Sequence, residues 1–224
     1  VNVLDPGHLP AGLNGRNPVT SPAAPSRPPR RRVLALAVAG LPVALAACAP
    51  AKDSLAAQAR AGDSKNYVAG DGSVTEYAKD ARKPAVSFTG TLYNGTIVDS
   101  ASFTGRVTVL NFWYAACAPC RVEAPRLKAL HDQFKTQGVD FYGVNLRDEK
   151  GTAEAFEHTF GITYPSFDDK DGRVLLALSG MVPPGAVPTT LVLDRQGRVA
   201  SRILGELQEG TLKALIETAA AEPV

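Results

Sequence analysis

One short stretch constrains this chain more than any other. Arg106-Val107-Thr108-Val109-Leu110-Asn111-Phe112-Trp113 is a nearly continuous apolar and β-branched run, which reads as a buried central strand. Cys117-Ala118-Pro119-Cys120 follows, and beyond it Leu127, Leu130 and Phe134 recur at helical spacing across 118–136. The two cysteines therefore stand where a buried strand gives way to a helix. A helix N-terminus carries unpaired N–H groups and partial positive charge, so it stabilises a thiolate there. A thiol with an ordinary pKa of about 8.5 falls to about 3.5–7.5 in such places. Only the thiolate attacks a disulfide, and a second cysteine one turn later can attack the mixed disulfide and release the product. Pro119 lacks an N–H that the first helical turn would leave unbonded anyway.

Other uses of a C-x-x-C are a zinc half-site, an inert structural bridge or two core cysteines. Structural zinc takes about four ligands. The chain has no second cysteine pair, and His8, His131 and His158 show no H-x₃₋₅-H spacing, so no metal site is expected. The strand–helix setting favours a reactive pair over an inert one. His131 and His158 fall on amphipathic helices and read as solvated, with no catalytic role.

The remaining elements can be placed around this junction. Tyr67-Val68 and Val74–Tyr77 flank Asp71-Gly72, a plausible hairpin, and Val86–Leu92 and Thr96–Val98 flank Asn94-Gly95, a stronger one. Val139–Leu146 reads as a strand, Thr152–Phe160 as a helix and Gly172–Gly180 as a weaker helix. Val187–Leu193 and Arg198–Leu204 read as strands joined by the turn Asp194-Arg195-Gln196-Gly197, and Leu212–Ala220 as a closing helix. Strands alternating with helices and ending in an antiparallel pair describe an α/β fold, a central mixed sheet flanked by helices.

The first part of the chain is different in kind. Residues 1–47 carry five arginines against Asp5, a net +4, so the overall +2 leaves the remainder at −2. Such a balance excludes a strong nucleic-acid footprint. Seven of the 17 prolines lie in the first 30 residues, and residues 1–29 read as disordered. Arg30-Arg31-Arg32 then precedes an apolar stretch from Val33 to Ala47, too short for the ~20 residues of a comfortable span but fitted to a secretory signal. It ends Leu45-Ala46-Ala47-Cys48, which resembles the bacterial lipobox. The resemblance implies that residues 30–47 are a lipoprotein signal peptide and that Cys48 carries lipid, holding the protein at the extracytoplasmic face of the membrane. Residues 48–82 read as a tether and short hairpin, and 83–224 as the folded domain. The odd cysteine count thus divides into one for lipid and two for redox chemistry.

From Val86 to Ala221 the chain resembles the thioredoxin superfamily, and within it the TlpA/ResA-like membrane-tethered thiol-disulfide oxidoreductases. The residues that carry this are Val109–Pro125, around Cys117-Ala118-Pro119-Cys120, and Val187-Pro188-Thr189-Thr190 about 70 residues later. The resemblance implies a thioredoxin-like fold with an N-terminal β-hairpin extension and an inserted segment over Arg147–Gly180. It implies a cis Pro188 facing the C-x-x-C, where a fixed turn exposes backbone for a substrate chain to pair with. Cys117 and Cys120 are then catalytic, with Trp113, Ala118, Pro119, Val187 and Pro188 as substrate-binding candidates; for Trp113, in strand register, core packing is the competing role. No cofactor beyond the dithiol is implied.

Departures from thioredoxin itself are informative. The buried Asp six residues before the first Cys is Asn111 here, which cannot take a proton from Cys120, and the Trp immediately before it is Ala116. The TlpA/ResA-like branch has a Glu three residues after the second Cys, and Glu123 fits. Positions i and i+3 share a helix face, so a desolvated Glu123 could serve Cys120 as general base; an ordinary first-turn Glu is the alternative. Pro125 matches the branch's mid-helix proline. The peroxidase pattern P-x-x-x-[ST]-x-x-C is not met, since Leu110 and Tyr114 occupy its Pro and Thr positions. The implied activity is reduction of disulfides in exported proteins, apocytochrome c among them, with electrons from a membrane thiol donor. The competing readings are a disulfide-forming oxidase and a non-catalytic binding lipoprotein.

Overall fold

The computed structural model of the chain describes residues 70–223. In order it contains β1 (Ser73–Glu76), β2 (Thr89–Thr91), β3 (Ile97–Asp99), a 3₁₀ turn (Ser100–Phe103), β4 (Val107–Trp113), α1 (Ala118–Phe134), β5 (Val139–Asn145) and α2 (Lys150–Phe160). Then come β6 (Ser166–Asp168), α3 (Arg173–Ala177), β7 (Thr189–Leu193), β8 (Val199–Leu204) and α4 (Glu209–Ala221). Six strands form one mixed sheet in the order β1-β8-β7-β4-β5-β6, while β2 and β3 make a separate two-stranded sheet. β4, β5 and β6 run parallel; β7 is antiparallel to β4, β8 to β7 and β1 to β8. This is the expected α/β, thioredoxin-like architecture.

β4 sits at the centre with all seven residues buried, as its unbroken apolar run requires. Its side chains alternate between faces. Val107 and Val109 join Leu127, Leu130 and Phe134 of α1 and Leu212, Leu215 and Ile216 of α4 on one side. Leu110 and Phe112 join Val144, Phe167, Leu191 and Leu193 on the other. The same alternation turns Asn111 and Trp113 toward α1, which decides their roles below.

The hairpin around Asn94-Gly95 forms as expected, with Gly95 at φ +87°. The strand beginning near Val74 has a partner that the sequence reading does not give it. It pairs with β8, from Ser73 opposite Leu204 to Glu76 opposite Ser201, and so joins the main sheet as its outermost strand among the described residues. Asp71 accepts the Ser73 N–H at 2.9 Å and starts this strand. The boundary drawn at 82/83 therefore cuts off a strand that belongs to the domain. Tyr67-Val68, the tether, the signal segment and Cys48 lie outside the described residues. The inserted segment supplies α2, β6 and α3, and β6 was not foreseen. His131 is half-buried rather than freely solvated, edge-on to Phe141 and Tyr164. Among the described residues no helix is long and apolar enough to cross a membrane.

Candidate active site

Cys117 is the N-cap of α1, in extended backbone (φ −75°, ψ 111°), and its Sγ accepts the Cys120 N–H at 3.3 Å. Ala118 and Pro119 make the first turn, Ala118 exposed and Pro119 half-buried, and Pro125 lies inside the helix. Cys117 and Cys120 are joined as a disulfide, with Cα atoms 5.3 Å apart. The redox pair is thus held at the positive end of a 17-residue helix.

The loop entering this helix is pinned from the β5–α2 connection. Asp148 accepts the Ala115 N–H at 2.6 Å and the Asn145 side-chain amide at 2.8 Å, while Asn145 Oδ1 accepts the backbone N–H groups of Arg147 and Asp148. Tyr93, from the β2–β3 hairpin, donates to the Asp148 carbonyl at 2.9 Å. Two guanidiniums lie over aromatic rings, Arg121 over Phe160 at 5.1 Å and Arg147 over Tyr114 at 4.4 Å. Asp148→Ala leaves the Ala115 N–H and the Asn145 amide without their acceptor. It is expected to cost about 1–3 kcal/mol, read as a lower urea midpoint at unchanged m-value.

Opposite the disulfide lies the Val187–Pro188 peptide, which is cis. Val187 packs in one cluster with Trp113, Tyr114, Cys117, Cys120 and Ala124. The Pro188 carbonyl accepts the Gly205 N–H at 2.8 Å, and the Thr189 hydroxyl donates to the Ala186 carbonyl at 2.7 Å. Within the described residues the Val187 N–H and C=O make no hydrogen bond, so this backbone is available to an added strand. Trp113 does not reach outward. It is 4% exposed and packs on Phe156 with ring centroids 4.4 Å apart, so of its two roles the structure takes core packing, because strand alternation turns it under α1 and α2.

Glu123 is completely buried on the Cys120 face of α1. Asn111 Nδ2 donates to Oε1 at 2.7 Å and the Leu207 N–H donates to Oε2 at 3.1 Å. Burial pushes its carboxyl up to about 8, outweighing the two hydrogen bonds that favour the charged form. A group titrating there can exchange protons with a thiol whose ordinary value is about 8.5. Asn111 also donates to Thr190 Oγ1 at 3.1 Å, so the residue that cannot act as a base instead positions one. Gly205, at φ +94° and with Gly70 backbone 2.6 Å from where its Cβ would be, makes the turn that brings the Leu207 N–H to Glu123.

The site therefore brings together Cys117, Cys120, Glu123, Val187 and Pro188, with Ala118 and Pro119 at the rim. Residues 81–202 of the chain match the AhpC/TSA family. The chain belongs to this family. Within the AhpC/TSA family it is similar to the ResA thiol-disulfide oxidoreductases. It is 32% identical to that of Geobacillus kaustophilus (strain HTA426) over 118 residues, 53% of this chain and 66% of the relative. The chain thus spans just under two thirds of the length of that relative. The fold matches the crystal structure of a DsbF homologue from Corynebacterium diphtheriae, with a TM-score of 0.58, 32% identity, and 66% of this chain and 94% of that one covered. It also matches a secreted thiol-disulfide isomerase from Corynebacterium glutamicum, with a TM-score of 0.60, 29% identity, and 68% and 95% covered. Sequence and fold thus make the chain similar to thiol-disulfide oxidoreductases of the ResA type, and the Cys117–Cys120 disulfide stands at the centre of the site.

Proposed function

We propose that this AhpC/TSA-family protein is an extracytoplasmic disulfide reductase. Lipid on Cys48 would hold it at the membrane, where a thiol donor reduces the Cys117–Cys120 disulfide. The resulting dithiol reduces disulfides in exported proteins, and apocytochrome c, whose C-x-x-C-H must be reduced before haem attaches, is a suitable target. The observation that carries the direction is the burial of the whole dithiol, Cys117 0% and Cys120 2% exposed, with the fully buried Glu123 on the Cys120 face of the helix. Apolar surroundings disfavour a thiolate on either sulfur and work against the helix N-terminus. A couple whose reduced form is not stabilised as thiolate is a stronger reductant. The open Val187 backbone supports an extended polypeptide as target.

The reduction potential of the Cys117/Cys120 couple, measured by equilibration with glutathione or dithiothreitol, tests this. A value near about −270 mV is expected; one near about −120 mV assigns the protein to disulfide formation instead.

A further inference from the structure

Each turnover must move a proton off Cys120, yet neither Cys120 nor Glu123 reaches solvent, and both Glu123 oxygens already accept hydrogen bonds. Below Cys120, between α1, α2 and the sheet, is a cavity of about 10 Å³, close to the space of one water molecule. Its polar lining is Cys120, Asn111, Trp113, Glu157, Tyr164 and Ser166. Gly143 helps to make this space: a Cβ there would lie 2.3 Å from Ser166 Oγ and 2.6 Å from Trp113 Nε1. A water in the cavity would have several polar neighbours, the Trp113 indole N–H and the Ser166 hydroxyl among them.

Glu157 closes the far side. It comes from α2, is half-buried, and accepts the Ser166 hydroxyl at 2.6 Å. It is the one carboxylate that both lines the cavity and retains exposure. Burial raises its pKa, the Ser166 bond opposes that rise, and Glu154 on the same helix adds to it. Tyr93 and Tyr164 face it from the β2–β3 hairpin and from the segment before β6.

We propose that Glu157 is the exit for the Cys120 proton, reached through one water in this cavity. This rests on the dithiol chemistry of Cys117 and Cys120. With a target joined to Cys117, the Cys120 S–H gives its proton to the water, which passes one of its own to the Glu157 carboxylate. The Cys120 thiolate attacks Cys117 Sγ, the Cys117–Cys120 bond forms and the Cys117–target bond breaks. The target leaves as a thiolate and takes a proton from solvent. The dithiol loses two electrons and the target disulfide gains them. Glu157 then releases its proton to solvent, and Glu123 sets the charge at the inner end.

The test uses the reduced full chain and 5,5′-dithiobis(2-nitrobenzoate). Its first thionitrobenzoate is released by Cys117 and its second by Cys120. Glu157→Gln keeps an acceptor for Ser166 but cannot take a proton. It is expected to leave the first phase unchanged and slow the second at least about tenfold at pH 7. The part of the second-phase pH profile that follows Glu157 is lost, and Glu157→Asp recovers part of it. A second phase identical to that of the unaltered chain at every pH overturns the proposal. So does parallel slowing of both phases with an unchanged pH profile. Absence of the first phase in the unaltered chain overturns the dithiol reading itself.

Discussion

Changing Cys117 to serine is expected to bring insulin reduction by dithiothreitol down to the uncatalysed rate. Cys117 is the cysteine at the helix N-cap, beside the open Val187 backbone, with its sulfur already accepting an N–H of the first turn. The helix N-terminus favours a thiolate at Cys117 over one at Cys120, next to the backbone where a target chain can pair, whereas a serine hydroxyl stays protonated there and does not attack sulfur. Cys120 faces the cavity instead, so its replacement has a different outcome. Cys120→Ser keeps the nucleophile but removes the group that resolves the intermediate. It is expected to accumulate a covalent target adduct, visible as a mass increase that a reductant reverses. Undiminished turnover by the Cys117→Ser protein places the nucleophile elsewhere.

The junction that defines this site is legible in the sequence because both of its sides are periodic. Val107–Trp113 is buried on both faces and therefore uniformly apolar, and α1 repeats its apolar residues at helical spacing. What escapes such a reading lacks periodicity. β6 has three residues, follows Pro165 and gains its place by pairing Ser166 with Gly143 across the sheet. β1 pairs with β8, which lies far along the chain, so no local turn signal announces that partner. Asp148 and Asn145 sit at a strand end and in the following loop, where no pattern announces that they hold the loop before Cys117. The Leu207 N–H is a backbone donor with no side-chain signature, and only the glycine at 205 hints at the turn that aims it. Glu123 was visible as a candidate from its spacing to Cys120, but its complete burial arises from the packing of α1 against the sheet and the β8–α4 connection, which local sequence does not encode.

That burial has a measurable consequence for the oxidised protein. An unfolded glutamate titrates near 4.5 and Glu123 in the folded chain near 8. Below pH 4.5 both states hold the proton and the folded state keeps its full stability from this group. Between those values the unfolded chain ionises while the folded one does not, so stability falls as pH rises, by at most about 1.4 kcal/mol per pH unit and about 5 kcal/mol in total. Above pH 8 the loss levels off. Glu123→Gln removes this dependence, because an amide has no proton to lose. It also presents an N–H₂ to one of the two donors that the carboxyl now satisfies, at a pH-independent cost of about 1–3 kcal/mol. The two stability curves are therefore expected to cross: the variant is less stable than the parent at pH 5 and more stable at pH 8, by urea unfolding of the oxidised chains. In the reduced chain the same substitution removes the titrating neighbour of Cys120 and is expected to move the pH profile of the second thionitrobenzoate phase. Parallel stability curves, or an unmoved pH profile, rule out Glu123 as a buried titrating group that sets the charge beside Cys120.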